Sequence, residues 1–187
     1  MNRMTRFRVF GSVLLIAATV ALMSAPGAEA ASRQELNRDG IKALQSLYAM
    51  NPAARRLGDK ARAVLVFPNI LKAGFLFGGQ IGEGVLLKGG KPAAYYNSVA
   101  ASYGLQAGVQ TFGYALFFMN DGALKYLDSS AGFELGVGPS IVVVDEGMAK
   151  SITSTTLSQD VYAFIFSQKG LMAGLGIQGS KITRIKQ

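Results

Sequence analysis

The sequence predicts an α+β protein in which N-terminal helices precede a glycine-rich, mainly antiparallel β-sheet body. Between Arg33 and Met50 the apolar residues Leu36, Ala43, Leu44, Leu47 and Tyr48 recur at roughly helical spacing. From Ala63 onward the period shortens towards two and glycines punctuate the apolar runs. The stretch from Ala93 to Met119, AAYYNSVAASYGLQAGVQTFGYALFFM, carries no charge between Lys91 and Asp121, so it must be buried or in lipid.

That stretch admits two readings. A membrane-spanning helix needs roughly 20 apolar residues, and Gly104 and Gly108 have the small-xxx-small spacing of packed membrane helices. Against it, Asn97, Gln106 and Gln110 would carry amides into hydrocarbon, and Gly104, Gly108 and Gly113 each lower helix propensity by roughly 1 kcal/mol relative to Ala. Strand alternation fits better. It puts Tyr103, Leu105, Ala107, Val109 and Thr111 on one face, and Ser102, Gly104, Gln106, Gly108 and Gln110 on the other. Glycines along one face leave a groove or let another backbone approach closely.

In chain order, Arg3, Arg6 and Arg8 precede the apolar run Val9 to Met23, and Ala28-Glu29-Ala30 follows it. This is the pattern of a secretory signal peptide over residues 1–30, cut before Ala31. No cysteine stands there to anchor a lipid, and no Arg-Arg pair marks a twin-arginine leader, so the expected destination is the periplasm or cell envelope. The expected remainder, 31–187, is one domain, helical over 31–62 and mainly β over 63–187.

Ser32 with Glu35 reads as a capping box for a helix from about Arg33 to Met50, and Asn51-Pro52 as the cap and first residue of a second, carrying Arg55, Arg56 and Lys60. Val64 to Phe67 reads as a buried strand stopped by Pro68, and Ala73 to Leu87 as strand-like runs broken by glycines. Lys88-Gly89-Gly90-Lys91-Pro92 and Asn120-Asp121-Gly122 read as turns, and Asp128-Ser129-Ser130 as the cap of a short helix. Ser140 to Asp145 is a β-branched strand. Val161 to Ser167 alternates with Tyr162, Phe164 and Phe166 on one face, before a turn at Gln168-Lys169-Gly170 into Leu171 to Ile177.

Chemistry is narrowed by subtraction. The chain has no His and no Cys, which removes the commonest general base, the usual transition-metal ligands and thiol nucleophiles. Without cysteine, an exported fold stands without disulfides. No nucleophile elbow, Walker loop or dinucleotide fingerprint is present. The Gly78-to-Gly84 run has the wrong spacing for a phosphate loop and no Lys-Ser/Thr pair after it. Asp145-Glu146 is an adjacent acidic pair, but strand neighbours point to opposite faces, and the other carboxylates are scattered singly. The expectation is a protein that is not an enzyme, with no catalytic residues, no metal and no cofactor. The net charge is +8, and +6 once the leader's three arginines and Glu29 are removed, which favours anionic partners.

Lys72-Ala73-Gly74-Phe75 with the following glycine run, Gly104-Leu105-Gln106-Ala107-Gly108, and Ser167 to Gly174 with Gly179 resemble the signature blocks of the SYLF domain family in order and spacing, over about Arg33 to Ile182. The resemblance implies a non-enzymatic module that binds phospholipid, with phosphoinositides the usual ligands of eukaryotic members, some of which also bind actin. Where many members have a tryptophan and prolines before the central glycine block, this sequence has Tyr95-Tyr96-Asn97-Ser98, a departure that bears on headgroup choice.

Basic and aromatic residues together suit a headgroup boundary. The candidate lipid-binding residues are Lys72, Lys88 and Lys91, on or near turns beside the glycine-rich strands, with Arg55, Arg56, Lys60 and Arg62 as a second basic group. The expected partner is anionic phospholipid or a membrane surface. The alternatives are a small outer-membrane barrel, which the helical start and short strands fit poorly, and a structural or protein-binding module using its sheet edges. Nucleic acid is not expected, because export removes it and acids interleave the basic residues.

Overall fold

In a computed structural model, the described residues are 33–129, 133–134, 138–144, 158–170 and 180–186. The leader, the cap residue Ser32, the acidic pair Asp145-Glu146 and the run Leu171 to Ile177 lie outside them.

Helix α1 (Arg33–Met50) and helix α2 (Pro52–Gly58) form where the spacing predicts them. Asn51 caps α2, its side-chain oxygen accepting from the amides of Ala53 and Ala54 at 3.0 and 3.2 Å, and Pro52 fits the first turn because no N–H is needed there. Gly40 lets α1 lie close on the sheet: a Cβ there would sit 2.3 Å from Cγ1 of Val85.

The sheet is built on one long antiparallel hairpin, β1 (Ala63–Lys88) and β2 (Lys91–Phe118), joined at Gly89-Gly90. Both turn glycines have positive φ, 56° and 76°, as a two-residue turn that follows strand twist requires. The charge-free stretch is therefore strand. Among the described residues no helix is long and apolar enough to cross a membrane, which does not bear on strands.

After β2 come helix α3 (Asp121–Leu127) and the strands β3 (Phe133–Glu134), β4 (Ile141–Val143), β5 (Val161–Gly170) and β6 (Lys181–Arg184). Among the described residues the strands form a six-stranded sheet in the order β3-β6-β2-β5-β4, with β1 against the other edge of β2. All pairings are antiparallel except β4 with β5. The expected order of helices first and a mainly antiparallel sheet after them is what the chain adopts.

Five local expectations are corrected. Pro68 does not stop the first strand: the register jumps from Phe67↔Tyr114 to Ile70↔Phe112, so Pro68 and Asn69 form a bulge in which the missing N–H costs no ladder bond. The glycines of Ala73 to Leu87 do not break β1 either; they allow it to bend. Asn120-Asp121-Gly122 is a helix start rather than a turn, since Asn120 accepts from the Ala123 amide at 2.9 Å, and Asp128 ends that helix instead of opening another. At Gln168-Lys169-Gly170 strand β5 continues past a bulge, where Ser167 takes φ 52° and the register shifts between Thr111 and Gly113.

The hairpin curls so that its tip meets its base. A Cβ at Gly82 would lie 2.4 Å from Cδ1 of Ile70, and one at Gly84 2.7 Å from the Phe67 ring. Inside the curl lies one core, with Leu65, Phe67, Ile70, Leu86, Tyr96, Phe112, Tyr114, Leu116 and Phe118, closed by Ala123, Leu127 and Phe133. On the outer face α1 and α2 cover a second core of Val64, Val66, Val85, Leu87, Ala115, Phe117, Tyr162, Phe164 and Phe166. The expected common face of Tyr162, Phe164 and Phe166 is thus present.

Candidate functional site

The middle of the hairpin, between the bulge at Pro68 and the tip, is built differently from either end. The bulge adds one residue to β1, so the faces exchange. Before it, Ala63, Leu65 and Phe67 point inward; after it, Ile70 and Lys72 do, and Leu71 points out. Lys72 stands opposite Gln110, and both are buried. Gln80 donates to Ser180 Oγ at 2.6 Å, and the Tyr114 hydroxyl donates to Ser98 Oγ at 2.7 Å, all four residues being buried. Burial pushes the Tyr114 phenol well above its ordinary range. Gln110 Oε1 is buried without a hydrogen-bond partner. The inner surface here is polar.

The outer surface of the same segment is apolar and bare. Leu71, Ile81, Val99 and Val109 are exposed. In register, Ile81 faces Val99 and Val99 faces Lys181, while Leu71 faces Thr111 and Thr111 faces Lys169. Both rows therefore reach an exposed lysine on the strand beside β2, and Lys181 in turn stands opposite Glu134 of β3.

The basic residues singled out from sequence fall into three places. Lys88 and Lys91 stand directly opposite one another at the hairpin tip, both exposed. Arg55, Arg56 and Lys60 are exposed on and just after α2, with Arg62 beyond them. Arg55 lies over the Tyr48 ring at 5.2 Å, and Arg62 approaches Asp121 at 3.8 Å. Lys72 is corrected: it is neither on a turn nor at the surface, because the Pro68 bulge moves it to the inner face.

The tip and α2 are not brought together. Arg33 lies over the Tyr95 ring at 5.5 Å, which sets the tip beside the start of α1, whereas Tyr48 and Arg55 meet at its end. At about 1.5 Å per residue, Arg33 and Tyr48 are roughly 22 Å apart along the helix. Sequence reasoning missed Leu71, Ile81, Val99, Lys169 and Lys181. The alternation of Val109 with Gln110 was legible, but which face turned outward depended on the bulge.

Two further polar clusters hold the framework. Asp160 accepts from the Ser140 amide and hydroxyl, both at 2.9 Å, and from Asn120 Nδ2 at 2.7 Å, tying the starts of β4, β5 and α3 together. The bond from the Ser140 amide, with those from Asn120 and the Ser140 hydroxyl, holds its carboxyl below the usual range. Tyr96 donates to Asp128, which also pairs with Arg184 at 3.3 Å; burial, reinforced by that carboxylate, raises the Tyr96 phenol.

Residues 99–187 match the family model described as Ysc84, Las17-binding protein actin regulator. No curated protein matches the chain. The matched family is associated with binding to lipid or to actin regulators. The match covers β2 from Val99 onward together with α3 and β3 to β6 but not β1, and two of the three sequence blocks quoted above fall within it. The match over residues 99–187 is consistent with a SYLF domain, the family that the sequence blocks resemble.

Proposed function

We propose that this protein is a non-enzymatic module that binds anionic phospholipid at the surface of a bacterial envelope membrane, reached through its secretory leader. The observation that carries the reading is the placement of Lys88 and Lys91 as direct cross-strand partners at an exposed tip. Like charges directly opposite one another destabilise a hairpin, and an anion between them removes that repulsion. Near an anionic bilayer each cation adds about 1 kcal/mol, and the exposed Arg55, Arg56 and Lys60 add a second point of attraction. The family association with lipid supports the same reading.

The test is sedimentation of residues 31–187 with liposomes of graded anionic content at two salt concentrations. Binding should rise with anionic lipid, weaken with salt, and fall when Lys88→Glu and Lys91→Glu are combined. A folded protein that stays in the supernatant under every condition sinks the proposal. A structural or protein-binding module is the second reading, favoured by the description of the matched family, which names a protein ligand. It would show itself as a defined partner co-purifying from the envelope without lipid.

A further inference from the structure

The exposed outer face of the mid-hairpin inverts the usual arrangement of a half-buried sheet. Lys72 is 7% exposed and Gln80 4%, whereas Leu71 is 45%, Ile81 58%, Val99 49% and Val109 59% exposed. Polar residues inside and apolar residues outside is the alternation of a strand that faces hydrocarbon. The inversion is built in, since the extra residue at Pro68-Asn69 exchanges the faces of β1 while β2 runs on without a shift opposite it.

Charge marks the border of this face. Along the rows Ile81, Val99, Lys181 and Leu71, Thr111, Lys169, the apolar side chains occupy the hairpin and the ammonium groups the adjoining strands. No charge interrupts the outer positions Leu71, Ala73, Gly79, Ile81, Val99, Ala101, Val109 and Thr111, and the next outer position towards the tip is the half-buried Glu83. An apolar patch bordered by Lys169 and Lys181 along the adjoining strands, with Glu83 at its tip-side edge, complements the headgroup boundary of an anionic bilayer along its lysine border, with hydrocarbon beneath and phosphate at the level where lysine stems can reach.

We propose that the bare outer face of the mid-hairpin dips beneath the headgroups of a membrane, seating Leu71, Ile81, Val99 and Val109 in the acyl region and Lys169 and Lys181 against phosphate. This rests on the lipid-binding reading and adds the face and the depth of contact. The hairpin tip then attracts the membrane and the mid-hairpin holds it.

The chain has no cysteine, so a single introduced thiol reports one position. Ile81→Cys and Val109→Cys, with Val143→Cys on β4 as an exposed apolar control, are each labelled with an environment-sensitive fluorophore in the protein recovered after export. Vesicles are phosphatidylethanolamine and phosphatidylglycerol, with or without acyl-chain spin-labelled lipid, and sedimentation is read on the same samples. The labels at 81 and 109 should shift to shorter wavelength and be quenched by the acyl-chain spin label, while that at 143 stays in water. Lys169→Ala should weaken partition about fivefold; Lys181 also stands opposite Glu134 in register, so Lys169 is the cleaner replacement.

Protein that sediments with vesicles while the labels at 81 and 109 remain in water overturns this face and leaves the lipid reading intact. Protein that does not sediment overturns both. Labels already shielded from water without vesicles show that a second copy covers the face, and the proposal fails on that outcome too.

Discussion

Along β2 the outer face passes through Phe117, Ala115, Gly113, Thr111 and Val109, and its two ends live under different rules. Phe117 and Ala115 lie beneath the helices, with the Phe117 ring 5.3 Å from Phe164 and 6.3 Å from Tyr48. At Gly113 the Phe166 ring occupies the place of a side chain, 2.4 Å from where a Cβ would be. Beyond it Thr111 is half-buried and Val109 exposed, and on the inner face Phe112 gives way to Gln110. Both faces change character within the same few residues. An apolar side chain in the first region stabilises the fold; in the second it is left for something outside the chain.

The sharpest way to break that contrast is to remove apolar atoms from each region and compare unfolding in urea. Phe117→Ala should cost about 3–5 kcal/mol as a fully buried ring is lost. Next comes the curl that gives the bare region its shape. Gly84→Ala drives a methyl into the Phe67 ring and should cost about 1–3 kcal/mol; a neutral result would mean that tip and base do not meet. Asn51→Ala, which removes the α2 cap on the covered side, should cost about 1 kcal/mol.

Asp160→Asn makes the covered end sensitive to acid in a stated direction. Its carboxyl is depressed in the fold, so its contribution is fully present above the ordinary value of about 3.9 and is lost as pH falls through the lower folded value. Urea midpoints of parent and variant should therefore differ at neutral pH and converge in acid. The smallest change is expected from Val109→Ser, within about 0.5 kcal/mol. Were it to cost as much as Phe117→Ala, the division of the face into covered and bare parts would be wrong.

What could be read in the sequence was whatever local spacing dictates. The helix from Arg33 to Met50, the Asn51-Pro52 cap, the Gly89-Gly90 turn and the strand character of the charge-free stretch all follow from residues close to one another in the chain. Pro68 was legible as an interruption but not as a bulge, because whether a strand resumes beyond proline depends on a partner that lies dozens of residues away, here Phe112 to Tyr114. That misreading carried the largest consequence, since it hid the exchange that takes Lys72 in and Leu71 out. Asn120 offered the same residues for a turn or a helix cap, and Tyr126 and Leu127 packing near or in the inner core decided for the helix. Lys88 and Lys91 were legible as a pair because the two-residue turn between them fixes their opposition.

That turn also bears on how the chain folds. Pairing begins with Lys88 and Lys91, neighbours across two residues, and ends with Ala63 and Phe118 at the base of the same ladder. Closing the base directly, with the intervening chain slack, carries about 2.5 kcal/mol more loop entropy than closing the tip, from the logarithmic growth of closure entropy with length. The favoured order is therefore a zipper that starts at Gly89-Gly90 and runs back past the bulge. Replacing these glycines with residues that resist positive φ should slow refolding more than it speeds unfolding, so two turn residues that contact nothing else govern the rate at which the hairpin assembles.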